Sequence, residues 1–294
     1  MKGNSKSIDG ALERHPHPSY PPPHPNLYIY LFKGVLGEKE EALLGPEFIG
    51  NWVEEGSSFL FFSRPPSRVI ADLLHVRPDL ELEDRFHFTY EDWQGGGLEP
   101  LVIGPFLIVP PWHKGEIQGD LIPILLDPGV VFGNCLHPTT SACLKAIALA
   151  SEGTPLKRVL DLGTGTGVLA LAAAHMGAHE VLAVDLNPLC VKTARRNVRL
   201  NHLEQTVRVL HGKAEDASDN TADVIVANIH YEVITELLNT GMFCNAGTII
   251  ISGLLRSQYS DIKDRMEHAG FLPTREWDHE MTWFTVLAVR EPST

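Results

Sequence analysis

The sequence predicts an α/β protein with a mostly parallel sheet covered on both faces, preceded by a small α+β domain. Three observations carry this. After Asp120, apolar runs alternate with segments of helical period, the pattern of a sheet built from βα units. Val159-Leu-Asp-Leu-Gly-Thr-Gly-Thr-Gly167 joins one such run to a helix through a glycine-rich turn. The next apolar run ends in a carboxylate, Val184-Asp185, so the three parts read as a nucleotide-handling βαβ unit.

In chain order, residues 1–26 carry Pro16, Pro18, Pro21, Pro22, Pro23 and Pro25, which block regular ladders and predict a disordered tail. His15, His17 and His24 lie there without cysteine or carboxylate partners, so a solvated tail is expected rather than a metal site. Residues 27–115 form the expected small α+β domain. Leu27–Phe32 and Ser58–Phe62 are aromatic and β-branched runs that predict strands. Val69, Ile70, Leu73 and Leu74 recur at helical spacing before Pro78, and Leu82–Tyr90 alternates as a strand. Leu101–Trp112 closes this domain or starts the connection.

Residues 116–294 form the second expected domain. Strands are predicted at 158–162, 180–185, 206–210, 222–227 and 247–252, and helices at 139–150, 167–176, 188–200, 231–239 and 257–269. Two further strands, near 271–277 and 281–289, end the chain as a hairpin.

Composition narrows the class. The 294 residues are 44% hydrophobic and 21% charged, which suits a soluble globular protein of one large or two ordinary domains. No apolar run approaches the ~20 residues of a membrane span, and no apolar core follows the first residues as in a signal peptide. The four cysteines form no C-x-x-C pair, in keeping with a reduced, cytoplasmic setting and no metal. A net charge of −13 argues against a nucleic-acid partner and suits a basic protein.

The glycine spacing limits the ligand. A dinucleotide fingerprint, G-x-G-x-x-G, would place a third glycine where Val168 stands. A phosphate loop would need a lysine near Gly167, and none is there. With Asp161 ahead of Gly163, Gly165 and Gly167, the turn resembles the first motif of class I S-adenosylmethionine (SAM) methyltransferases. That resemblance implies their Rossmann-like seven-stranded sheet, a methionyl moiety lying against the glycines, and ribose hydroxyls bonded to Asp185. Gly212-Lys-Ala-Glu215-Asp216 follows the third strand, and reads either as a contact of Glu215 or Asp216 to the adenine amino group or as a solvated acidic loop. Asn228 ends the fourth strand.

A second segment is more specific. Leu126-Asp-Pro-Gly-Val-Val-Phe-Gly-Asn-Cys-Leu-His-Pro-Thr-Thr140, ahead of the glycine turn and Ala227-Asn-Ile229, resembles the PrmA family, lysine methyltransferases of ribosomal protein L11. The resemblance runs from about residue 100 to the end and includes Ile108-Val-Pro-Pro-Trp112 and the strand of Trp283. It implies SAM contacts at Thr140, Gly163, Asp185 and Asn228, with the 132–140 loop over the methyl donor. Asn228 and His137 are the candidate catalytic residues. His137-Pro138 also reads as a loop anchor that caps the following helix.

The expected activity is methylation of a protein amino group, first of all in a ribosomal protein. Methylation of another protein or a small amine, and a non-catalytic SAM-binding module, are the alternatives. Nucleic-acid methylation is disfavoured, because Asn228-Ile-His-Tyr lacks the Asn/Asp-Pro-Pro-Tyr/Phe motif. Asn134-Cys135-Leu136 replaces the family's Thr-Gly-x and His230-Tyr231 its Leu-Ala, both expected on the substrate side. Only the last part of the family's ferredoxin-like domain is recognisable ahead of the motifs.

Overall fold

The computed structural model describes residues 24–115, 119–152, 156–217 and 221–291. Most of the tail expected at 1–26, with His15 and His17, lies outside the described residues, whereas Asn26 opens the first strand.

The first unit contains β1 (Asn26–Lys33), α1 (Glu38–Glu41), β2 (Phe48–Glu54), β3 (Ser57–Phe62), α2 (Ser67–Val76) and β4 (Glu81–Thr89). The strands pair antiparallel in the order β2-β3-β1-β4. This is the complete βαββαβ ferredoxin-like arrangement, with its first helix cut to a single turn. The whole arrangement is present although only its last part is recognisable in the sequence. β2 escaped the strand pattern because Gly50 interrupts it. A Cβ on Gly50 would lie 2.5 Å from Leu189 Cδ1, so the glycine admits a neighbouring helix. The β2–β3 turn puts both Glu55 and Gly56 at positive φ, as a two-residue hairpin of type I′ requires.

The short helix α3 (Tyr90–Gln94) follows, opened by a capping box between Thr89 and Asp92. A small sheet comes next: β5 (Leu101–Ile103), β6 (Phe106–Val109) and β7 (Ile122–Leu125), in the order β5-β6-β7.

The remainder alternates as expected: α4 (Pro138–Ala150), β8 (Arg158–Leu162), α5 (Val168–His175), β9 (Glu180–Asp185), α6 (Pro188–Leu200), β10 (Val207–His211), β11 (Ala222–Asn228), α7 (Tyr231–Asn239), β12 (Ala246–Leu255), α8 (Arg256–His268), β13 (Phe271–His279) and β14 (Trp283–Arg290). The sheet order is β10-β9-β8-β11-β12-β14-β13, with only β14 antiparallel to its neighbours. It is a Rossmann-like, doubly wound class I methyltransferase sheet, and its strand order reverses between β8 and β11. Alternate residues of β11 serve opposite faces: Val224 and Val226 join the core with α4–α6, and Ile225 and Ala227 the core with α7 and α8.

The two sheets share a third core. Leu27, Ile29 and Phe61 from the ferredoxin-like sheet pack with Val130, Val131, Leu189 and Cys190. The opposite face of that sheet is covered by its own helix α2, through Ile70 and Leu73. Among the described residues no helix is long and apolar enough to cross a membrane, and no group of three His, Cys, Asp or Glu is placed to hold a metal ion.

Candidate functional site

Ligands of open α/β sheets sit beyond the carboxyl ends of the strands, where the order reverses. The turn after β8 lies there with Gly163, Gly165 and Gly167 at φ 69°, 55° and 86°, a region that favours glycine. Space adds a second reason. A Cβ on Gly163 would overlap Ile229 Cγ2, and one on Gly165 would stand 2.6 Å from the Phe132 carbonyl oxygen. The amides of Gly163 and Thr164 donate to Val184 O at 2.9 and 3.1 Å, which ties the turn to the end of β9.

Asp161 does not face solvent. Its Oδ2 accepts from the Thr164 hydroxyl and from the Ala170 amide in the first turn of α5. The carboxylate thus caps the helix that the glycine turn starts. Its Oδ1 is buried without a hydrogen-bond partner, and burial raises the carboxyl pKa to about 7. Thr140, in the first turn of α4, likewise has a buried hydroxyl with no partner.

Asp185 ends β9. Its Oδ2 accepts the Gly165 amide and its Oδ1 the Asn187 amide, both at 2.9 Å. Each oxygen keeps capacity for a further donor, and burial holds the pKa above its ordinary value. Asn228 ends β11, half-buried and without a side-chain hydrogen bond to the described residues. Gly253 makes room for it, since a Cβ there would come within 3.3 Å of Asn228 Oδ1.

The 127–137 loop covers the turn. The Thr166 amide donates to Phe132 O at 3.2 Å and its hydroxyl to Gly133 O at 2.9 Å. His137 is the N-cap of α4: its Nδ1 accepts the Thr139 amide at 3.4 Å and lies 2.7 Å from the Thr139 hydroxyl. Trp283 packs edge-on to the imidazole, and the Phe132 ring lies tilted to it at 5.4 Å. Burial, then the neighbouring His279, lowers the His137 pKa, so the ring is neutral at pH 7 with its Nδ1 lone pair committed to the cap.

The structure therefore brings Thr140, Asp161, Gly163, Gly165, Gly167, Asp185, Asn228 and His137 to one end of the sheet. The loop after β10 divides its two acids. Asp216 Oδ2 accepts the Lys213 amide at 2.8 Å and shapes the turn, while Glu215 is half-buried and free of hydrogen bonds to the described residues. The departures at 230–231 were expected on the substrate side, yet Tyr231 turns away. Its hydroxyl donates to Asp261 on α8 at 2.7 Å, and its ring packs in the core of that face.

Several residues with no role legible in the sequence hold the site together. Asn197, buried in α6, donates to Asp127 O and Thr166 O and accepts the Asp127 amide. The buried Asp127 carboxylate pairs with Arg196 at 2.6 Å and accepts the Tyr90 hydroxyl at 2.8 Å. An Asn pair at i, i+4 (Asn197 and Asn201) in an amphipathic helix was the one available signal.

Comparison with known proteins fits this geometry. The family described as "Ribosomal protein L11 methyltransferase (PrmA)" matches residues 83–291. A ribosomal protein L11 methyltransferase of Halalkalibacterium halodurans is 41% identical over 183 residues, covering 62% of this chain and 58% of that protein. One from Desulforamulus reducens is 34% identical over 215 residues, covering 71% and 68%. The crystal structure of a ribosomal protein L11 methylase from Lactobacillus delbrueckii subsp. bulgaricus superposes with a TM-score of 0.58 at 30% identity, covering 64% of this chain and 96% of that one. The chain spans 58% of the length of the first of these curated relatives. The family match begins inside β4, so most of the ferredoxin-like unit lies outside it.

Proposed function

Because this chain belongs to the ribosomal protein L11 methyltransferase (PrmA) family, we propose that it transfers methyl groups from SAM to amino groups, those of lysine or an N-terminus, of ribosomal protein L11. The observation that carries the reading is the convergence, at one end of the sheet, of a side-chain-free glycine turn, the Asp185 carboxylate and two buried polar atoms without partners, Thr140 Oγ1 and Asp161 Oδ1. An apolar pocket would leave no acceptor unpaired, since each costs roughly 1–3 kcal/mol. A ligand with a cationic amine and a diol satisfies both the orphaned oxygens and Asp185.

The residues fit SAM in distinct roles. Gly163 and Gly165 let its methionyl chain approach the backbone. Asp161 Oδ1 and Thr140 Oγ1 receive its ammonium, and Asp185 accepts its ribose hydroxyls as charge-assisted bonds. Glu215 is the residue left to meet the adenine amino group. SAM supplies a methyl group activated by its sulfonium for in-line displacement.

Rate then rests on alignment, which contributes roughly 7–11 kcal/mol when reacting atoms are held in line. The incoming amine must be neutral, and removing a proton from a lysine of pKa near 10.4 costs about 4 kcal/mol at roughly pH 7.5. A partly desolvated channel under Phe132, His137 and Trp283 lowers that cost. Asn228 Oδ1, free of other bonds, accepts from the amine and turns its lone pair toward the methyl. His137 acts through the loop it anchors rather than as a base, because its Nδ1 lone pair is already used. The acidic surface, net −13, attracts a basic ribosomal protein in the cytoplasm.

The test is incubation of the full chain with labelled SAM and purified ribosomal protein L11. Label on its amino groups is expected. Label only on another protein of the source lysate would redirect the acceptor, and no label anywhere would leave a SAM-binding module. Calorimetry should show SAM binding that Asp185→Ala abolishes.

A further inference from the structure

We infer that Gln94, in the short helix α3 that follows the ferredoxin-like unit, is a positioning residue for the SAM site: it fixes the 127–137 loop that covers the glycine turn. The inference rests on the proposed function and goes beyond it, since it assigns a role to a residue remote from the cofactor.

The Gln94 side chain is buried and spans both ends of the loop. Its Nε2 donates to Gly129 O at 2.6 Å. Its Oε1 accepts from Asn134 Nδ2 at 3.2 Å, and the same amide donates to the Gln94 carbonyl at 3.1 Å. Asn134 Oδ1 turns back to accept the Leu136 amide at 3.1 Å. One amide side chain thus joins residues 129, 134 and, through Asn134, 136. Between these points lie Phe132 and Gly133, the two residues whose carbonyls receive Thr166 of the glycine turn.

Packing holds the loop at Val130, Val131 and Cys135 but not along its whole length. Phe132 and Leu136 are 51% and 52% exposed. A cavity lined by Leu98, Leu101, Ile108, Leu126, Asn134 and Leu136 opens beneath it. Its backbone is also strained, for Cys135 sits at φ 68°, where a side chain is disfavoured. Between the anchors at Asp127 and His137, the strained stretch takes its shape from directional bonds, and Gln94 supplies them at residues 129 and 134.

The bridge also explains Asn134. Its Nδ2 meets both Gln94 oxygens while its Oδ1 holds the Leu136 amide, so α3 and the loop are joined through this one side chain.

The experiment measures SAM binding to the full chain by calorimetry for the native protein, Gln94→Met, Asn134→Thr and the double variant, with thermal melting alongside. Gln94→Met keeps the side-chain volume and removes both bonds. Each single variant should raise the SAM Kd at least tenfold. The double variant should fall short of the product of the two single effects, because the Asn134 Nδ2–Gln94 Oε1 bond is lost in both. A folded Gln94→Met that melts earlier but binds SAM with native Kd would show a merely structural role and overturn the inference. Multiplying effects in the double variant would do the same. Should Gln94→Met fail to fold, Asn134→Thr at a half-buried position carries the test, and native Kd there refutes it. Native protein that binds no SAM would instead overturn the proposed function, and the inference with it.

Discussion

Replacing Asp161 by asparagine separates what the carboxylate does for the fold from what it does for the ligand. Asp161 Oδ2 accepts both the Thr164 hydroxyl and the Ala170 amide. An asparagine with its oxygen in that place keeps both bonds and puts its amide at the orphaned Oδ1. The charge is what changes. The folded carboxyl has its pKa raised by burial from 3.8 to about 7, so the folded state holds the proton more tightly than the unfolded one. Stability is unaffected below pH ~3.8, falls as pH rises through the window from ~3.8 to ~7, and is flat above it. The penalty above pH 7 is about 4 kcal/mol at roughly 1.36 kcal/mol per pKa unit. Urea unfolding should therefore find Asp161→Asn more stable than the native protein at pH 8, with most of the gain gone at pH 4. SAM binding should weaken by tenfold or more, because the cation loses its acceptor. Calorimetry in two buffers of different ionisation enthalpy should show that SAM binding near pH 7 releases a proton from the native protein and none from the variant. An equal stability difference at pH 4 and pH 8 would refute the reasoning.

Substitutions at three other positions probe the same site. His137→Asn retains a capping side chain at the start of α4 and should keep kcat within a few-fold. His137→Ala should cost about 1 kcal/mol of stability, and an equal fall of ~10²-fold or more in kcat for both variants would restore His137 as a base. Gly165→Ala puts a methyl 2.6 Å from the Phe132 carbonyl at φ 55°. It should abolish SAM binding in equilibrium dialysis, with a strain of roughly 1–2 kcal/mol visible in urea unfolding. Tyr90→Phe removes the hydroxyl that donates to the buried Asp127 carboxylate and should destabilise the protein by roughly 1.5–3 kcal/mol, read by the same unfolding titration.

The sheet of the second unit was legible because its signals are local. β8, the glycine turn and α5 follow one another within twenty residues, and strand β9 ends on Asp185 as the pattern requires. The ferredoxin-like unit was not, because its missing pieces are short or broken for distant reasons. α1 is a single turn, and β2 carries Gly50 only because Leu189, far along the chain, needs the space. In the site, the glycines and terminal acids could be read from spacing. The inward turn of Asp161 and the bonding of Asn197 could not. A polar residue in mid-helix reads as a solvated face until its partners, here Asp127 and Thr166, are brought to it by the fold.

The unusual residues at 134–136 acquire a physical meaning from this geometry. Cys135 stands where the family pattern has glycine, and its φ of 68° means that the backbone still takes the path a glycine would allow. Such a conformation costs a side-chain-bearing residue roughly 1–2 kcal/mol, so the path has been kept against its local preference. Two gains oppose that cost: the Cys135 side chain is buried in the core beside α4, and Asn134 bonds to Gln94. A degrading loop would relax to an easier backbone and lose its seat on Thr166. Here both carbonyl contacts to Thr166 persist, and Tyr231, the other bulky departure, is committed to Asp261 on the far side of the sheet. The departures at 134 and 135 therefore act on how α3 is joined to the loop, while Tyr231 is held on α8 by Asp261.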